Sequence, residues 1–229
     1  MSLLPPRGLR ALAILLRKDL LLQWRERAQG IAILAFGGAA LLLFSFAAGP
    51  DSLVLRQEAA GFLWLGLLLA STLSLAESFE REMEDRALEG VLLLPTSPRA
   101  VFYAKALANW IRLALVGVAL VPGMVVLYDA GTLRLFGLLG VILLGTAGLS
   151  APGTLYSAMT AQARARQTLL PLLLFPLVVP VLIAAVKATS LLILSDPMEQ
   201  LGAWSRLLFA FDLIYWSLCG LLFGRVVED

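Results

Sequence analysis

Histidine is absent from the 229 residues, and with it go the commonest metal ligand and the usual general base. The one cysteine, Cys219, excludes an internal disulfide and a CxxC site. Lysine is scarce: Lys18, Lys105 and Lys187 are the three, and none follows the glycine-rich run of an ATP-binding phosphate loop. Charge is sparse as well. At 15% it falls well below the roughly 25% of a soluble chain, and 18 basic against 16 acidic residues leave a net +2. So balanced a chain lacks the basic surface of a nucleic-acid binder. Alternating segments of about ten residues, the mark of a membrane β-barrel, are also missing. These absences leave no catalytic and no metal-ligating residues to name, and the chain is expected not to be an enzyme.

What the chain does contain is apolar length. Hydrophobic residues make up 60%, and the mean hydropathy is +0.88. One aqueous core of this size could not bury so much apolar surface. A membrane span needs about 20 apolar residues. The runs Ala28–Pro50, Ala59–Ala76, Leu113–Tyr128, Leu135–Ala163, Gln167–Val186 and Leu207–Gly224 predict six spans. They are placed near 30–49, 59–79, 104–128, 134–160, 168–187 and 207–225 within a single membrane domain, 1–229. The fold class is therefore an all-α integral membrane protein. Fourteen of the eighteen basic residues fall on the side of the termini and only Arg56, Arg134, Lys187 and Arg206 on the other. By the excess of Lys and Arg in cytoplasmic loops, both termini are expected to be cytoplasmic.

Ahead of the first span, Leu9, Leu12, Leu16, Leu20 and Trp24 recur at helical spacing. The six-residue apolar stretch Ala11–Leu16, ended by Arg17, is too short for a signal peptide. Residues 8–28 are read instead as an amphipathic helix in the membrane interface.

The segment from Glu77 to Arg112 carries the densest acidic cluster, six of the sixteen acids. Glu77/Arg81 and Glu82/Arg86 are i,i+4 pairs in the favourable order, predicting a helix that runs out of the second span. Gly90 ends it, Val91–Leu94 forms an apolar patch, and Pro95 closes the patch. Ser97 before Pro98 reads as an N-cap and first helical residue. A dense charge cluster flanking exposed leucines suits a docking site for a soluble protein, or a helical hairpin folded back on the headgroups.

Among the spans, the fifth holds Pro171, Pro176 and Pro180, each removing a backbone donor and predicting a kinked, protein-packed helix that could gate or simply be bent. The fourth is long and glycine-rich, and is expected to tilt or to break near Pro152-Gly153. Asp212 is the intramembrane carboxylate, placed 5–6 residues below the outer surface and read either as a gating or partner-contact residue or as a shallow, partly hydrated helix-end residue.

The run Ala87-Leu-Glu89-Gly90-Val-Leu-Leu-Leu-Pro95-Thr-Ser-Pro98-Arg99 with Tyr103-Ala-Lys105 resembles the first cytoplasmic loop of ABC-2-type export permeases. Leu15-Leu-Arg17-Lys18-Asp19, Ala163-Arg164-Ala-Arg166, Leu170-Pro171 through Pro180, Ala185-Val-Lys187-Ala-Thr189 and Phe211-Asp212 narrow the resemblance to the CcmB family, the haem-exporter permeases of cytochrome c maturation. The resemblance implies a six-helix permease in the inner membrane whose ATP is bound by a separate CcmA-like ATPase subunit. It implies a coupling helix carried by Glu80, Glu82, Glu84, Asp85, Glu89, Gly90, Leu92, Leu93 and Pro95. It also implies CcmC-like and CcmD-like membrane partners and a CcmE-like haem chaperone released at the expense of ATP. The permease itself would form a homodimer or a mixed pair. No cofactor is expected on the chain; haem is the cargo, ligated by partners. An ABC-2 permease for a drug, lipid or glycan, or a scaffold without transport, are the other readings.

Overall fold

The computed structural model describes residues 6–78, 97–130, 134–160, 166–194, 196 and 198–228. All regular structure among these is helical. The helices are α1 (Pro6–Arg25), α2 (Arg27–Ala48), α3 (Ser52–Glu77), α4 (Pro98–Tyr128), α5 (Leu135–Thr160), α6 (Arg166–Leu194) and α7 (Leu201–Glu228). The six from α2 to α7 are long and apolar enough to cross a membrane. The chain is an all-α membrane protein.

Helix starts follow local chemistry. Asp51 caps α3, its Oδ1 accepting from the Leu53 N–H at 2.9 Å. Ser97 caps α4, with Oγ accepting from the Ala100 N–H at 3.4 Å and Pro98 in the first turn, as the sequence predicts. Between α1 and α2 the chain turns at Glu26 alone.

Besides α4, which starts at 98 rather than at Leu113 where its uncharged run begins, three helices clearly outrun their uncharged stretches. Helix α3 starts at 52 rather than 59, α6 ends at 194 rather than 187, and α7 starts at 201 rather than 207. Arg56, Glu58, Lys187 and Arg206 thus lie inside helical ends, where long side chains reach the interface or a backbone carbonyl. Arg56 does the latter, donating from Nη2 to the Ile193 carbonyl in the last turn of α6 at 3.5 Å.

Helix α5 is the hub. It packs on α3, α4, α6 and α7, and it continues unbroken through Pro152. Lipid gives no hydrophobic drive between helices, so close approach and interhelical hydrogen bonds must hold them. At Gly145 the ring of Trp64 from α3 occupies the space a Cβ would need. The indole N–H then donates to Thr189 Oγ1 of α6 at 2.9 Å. One aromatic side chain thereby fastens three helices.

Helix α1 lies against the bundle along one stripe. Its packed face centres on Asp19, with Leu12, Leu15, Leu16 and Leu20 half-buried, whereas Ile14 and Trp24 are exposed, Trp24 by 71%. The reason is polar. Asp19 and Gln23 lie on the same stripe as Leu12, Leu16 and Leu20, and their partners are on α4.

Candidate functional site

Two polar regions stand out in an otherwise apolar bundle. The first surrounds the points where the charged segment leaves the membrane helices, at the end of α3 and the start of α4. Asn109 of α4, 2% exposed, donates from Nδ2 to Ser78 Oγ at 3.0 Å and to Thr154 Oγ1 at 2.9 Å. Ser78 Oγ returns a bond to Asn109 Oδ1 at 3.1 Å. Ser157 of α5 donates to the Leu75 carbonyl, satisfying a C-terminal carbonyl of α3. Arg112 reaches Ser74 Oγ from Nη1 at 3.5 Å. The last turn of α3 is therefore clamped to α4 and α5 by side chains.

One turn before Asn109, Lys105 Nζ lies 3.9 Å from Asp19 Oδ1, and both residues are buried. Lys18 adds a contact to the same oxygen at 3.3 Å. Gln23 Nε2 donates to the Ala108 carbonyl at 3.4 Å. Burial demands such pairing, because an isolated charge in this environment would be costly. Helix α1 is thus tied to the same part of α4 that holds the end of α3.

The second region lies deeper, where α7 crosses α5 and α6. Asp212 is 8% exposed, and its Oδ1 is the buried side-chain polar atom without a hydrogen-bond partner among the described residues. It faces Gly148 of α5: a Cβ there would stand 2.9 Å from Oδ1 and 2.7 Å from Val181 Cγ1 of α6. Around it, side chains of α7 bond to the backbones of α5 and α6, both of which carry internal prolines. Tyr215 Oη donates to the Leu177 carbonyl at 2.8 Å, and Trp216 Nε1 to the Ala147 carbonyl at 3.1 Å. A proline at position i leaves the carbonyl at i−4 without its helical donor. Pro180 and Pro152 do this to Pro176 and Gly148, the immediate neighbours of the two carbonyls that accept from α7.

The depth of Asp212 differs from the sequence expectation. Because α7 begins at Leu201, Asp212 lies eleven residues from that end and thirteen from Arg225. At the helical rise these are about 16 Å and 20 Å. It lies near the middle of the candidate span Leu201–Arg225, eleven residues from the helix start rather than five or six.

Helix α6 is continuous across Pro171, Pro176 and Pro180. Of the three, Pro176 is exposed and the others half-buried, so the helix packs along one stripe, Leu170, Leu174, Val178, Val181 and Ala185, rather than all round. The structure brings the Pro176–Pro180 turn and Asp212 together, through Tyr215 and Val181. Glu80, Glu82, Glu84, Asp85, Glu89, Gly90, Leu92, Leu93 and Pro95 lie outside the described residues. Their two attachment points, Ser78 and Ser97, are within them.

Sequence reading missed Asn109, Ser78 and Thr154, and did not pair Asp19 with Lys105 or Trp64 with Thr189. A signal for the first was present: an amide in an apolar span is expensive unless it bonds another helix. As to chemistry, no group of three or more potential metal ligands occurs among the described residues, and Cys219 is buried. A lone carboxyl can hold a proton or accept a hydrogen bond. Without a neighbouring base or nucleophile it supports no acid–base pair.

The family model described as CcmB protein matches residues 10–228, nearly the whole chain. The chain belongs to the CcmB family. Heme exporter protein B of Rhodobacter capsulatus is 39% identical over 169 residues, covering 74% of this chain and 78% of its own. That of Bradyrhizobium diazoefficiens is 30% identical over 204 residues, 89% and 91% of the two chains. The Pseudomonas aeruginosa protein of the same name is 33% identical over 171 residues, 75% and 77%. In this CcmB-family chain both polar regions fall inside the matched length. With six apolar helices of spanning length, it is a multi-pass membrane protein.

Proposed function

We propose that this chain is the transmembrane permease subunit of an ABC transporter in cytochrome c biogenesis, taking part in haem export. The observation that carries the reading is the match of residues 10–228 to the CcmB family, with relatives named heme exporter protein B. The chain contains no ATP-binding phosphate loop, so a CcmA-like subunit binds and hydrolyses ATP. That subunit docks on the charged segment, through Glu80, Glu82, Glu84, Asp85 and Glu89 around Gly90, Leu92, Leu93 and Pro95. The termini face the cytoplasm of the inner membrane, in keeping with the basic excess on that side.

The clamp supplies a route for the stroke. Movement of the segment pulls on Ser78 and Ser97. Asn109 and Ser157 hold the end of α3 to α4 and α5, so the three helices shift together. Helix α1 follows through Lys105–Asp19. The displacement reaches α6 and α7 at the Gly148–Asp212 contact, where an unpaired carboxyl and proline-weakened turns make rearrangement least costly.

Haem is treated as substrate. The chain has no histidine, so axial ligation falls to CcmC-like and CcmD-like membrane partners and to a CcmE-like chaperone, whose haem-loaded form ATP turnover releases. An ABC transporter with two ATP sites would pair two permease halves, here two copies of this chain or this chain with another membrane subunit. The test is removal of this protein followed by haem staining of c-type cytochromes. Staining should vanish and return with the wild-type chain. Normal staining without it would overturn the haem assignment.

A further inference from the structure

A lateral groove opens between the end of α1, the first turns of α2 and the middle of α4, and its volume is about 630 Å³. Its two long walls are ordered alike. On α2 they run from Arg27 through Ile31 to Leu34, and on α4 from Arg112 through Val116 to Ala119, both at i, i+4, i+7. Each wall is basic at the end near α1 and apolar for the next two turns, about 10 Å of helix. Ile31 and Leu115 line it while 65% and 66% exposed, so the apolar part opens sideways rather than into the bundle. The Arg27 guanidinium is held over the Trp24 ring, 5.7 Å from its centroid. Glu26 shares the mouth and offsets one of the two arginines, leaving a net single positive charge among the lining residues.

We infer that this groove binds an anionic phospholipid from the leaflet on the α1 side. The phosphate would sit between Arg27 and Arg112, and an acyl chain along Ile31, Leu34, Val116 and Ala119. A basic mouth above an apolar slot of membrane-facing helices is the complement of such a lipid. A zwitterionic lipid would fill the slot equally well but gain less at the mouth. A soluble anion would gain nothing from the two apolar turns. Arg27, placed by Trp24 before any lipid arrives, loses less freedom on binding than a mobile side chain would. Occupancy would wedge α1 and α2 against α4, the helix that also carries Lys105 and Asn109. The inference does not depend on what the protein transports.

The experiment is native mass spectrometry of the purified full chain from nanodiscs of mixed phosphatidylglycerol and phosphatidylcholine. The wild type should retain phosphatidylglycerol preferentially. Each arginine removed, in Arg27→Gln and in the Arg27→Gln/Arg112→Gln pair, should lower that preference by about fivefold. Arg112 also contacts Ser74, so the single Arg27 variant is the one that reads charge alone. Gly30 lines the groove, and a Cβ there would meet nothing within 4 Å, so Gly30→Trp should fill it and lose both lipids. Equal retention of the two lipids by the wild type would overturn the proposal, as would unchanged retention by Gly30→Trp. Displacement of the preference by inorganic phosphate would identify a free-anion site and overturn it too. A Gly30→Cys/Cys219→Ser variant that forms disulfide dimers within the membrane would show a second copy in the groove, also against the lipid.

Discussion

The clamp at the end of α3 and the layer around Asp212 are both polar regions in an apolar bundle, but they treat their polar groups oppositely. In the clamp, the Asn109 amide, the Ser78 and Thr154 hydroxyls and the Leu75 carbonyl all meet partners across helices. Around Asp212 the aromatic donors of α7 are matched to carbonyls, yet the carboxyl itself keeps an unpartnered oxygen against Gly148 and Val181. A satisfied network resists separation, because each broken bond strands a buried group. The unpartnered Asp212 oxygen loses no bond when the helices move apart, although the Tyr215 and Trp216 bonds do break. The difference assigns stiffness to the end joined to the charged segment, and compliance to the middle of α7.

The harshest way to break this comparison is to fill the compliant layer. Gly148→Leu drives a side chain into Val181 and Asp212, and should cost about 3 kcal/mol, the upper range for overpacking, read as a lower unfolding midpoint in detergent. A midpoint unchanged from wild type would mean that α5 and α7 are not packed there. Next in size is the clamp. Asn109→Leu should cost about 1–2 kcal/mol, and adding Ser78→Ala should cost little more, since the pair shares one interaction. Additive losses would show that no clamp exists.

A smaller effect separates two acids, one just ahead of α7 and one within it. Asp196 sits at the start of α7, with Oδ2 accepting from the Leu201 N–H at 2.7 Å and Oδ1 from the Gln200 N–H at 2.8 Å. The Leu201 bond, with help from the Gln200 amide and the charge of Arg134, holds its carboxyl below the usual aspartate range. A lowered folded value stabilises the protein above the unfolded value of about 3.9 and loses that contribution as pH falls through the folded one. Wild type should therefore exceed Asp196→Asn in midpoint at neutral pH by a margin that closes on acidification below about 4. A margin independent of pH would refute the charge-assisted cap. Asp212→Asn should give the smallest change, within about 0.5 kcal/mol, because no bond to Oδ1 is lost. A loss as large as that of Asn109→Leu would place a partner on Asp212 and erase the contrast.

Parts of this were legible in residue order. The Ser97-Pro98 start of α4 is a local signal, read within four residues and present in the structure. Asp212 as the intramembrane acid was equally plain. Its depth was not, since charge at Arg206 suggested a helix end where the helix in fact continues to Leu201. The clamp was illegible for another reason. Asp19 and Lys105 stand 86 residues apart, and Ser78 and Thr154 are joined only through Asn109. Spacing along one helix says which residues share a face, not which helix that face will meet.

Sequence by itself determined that this chain crosses a membrane six times, because apolar length is a local property that bilayer thickness converts directly into spans. It also determined that the acidic charge gathers between the second and third spans. Only the tertiary structure decided that α1 docks on α4 through Asp19, that Trp64 settles over Gly145, and that Asp212 Oδ1 has no hydrogen-bond partner among the described residues. Lipid is indifferent to which apolar faces meet. The choice among them rests on a few polar bonds and close approaches that exist only once the helices are side by side.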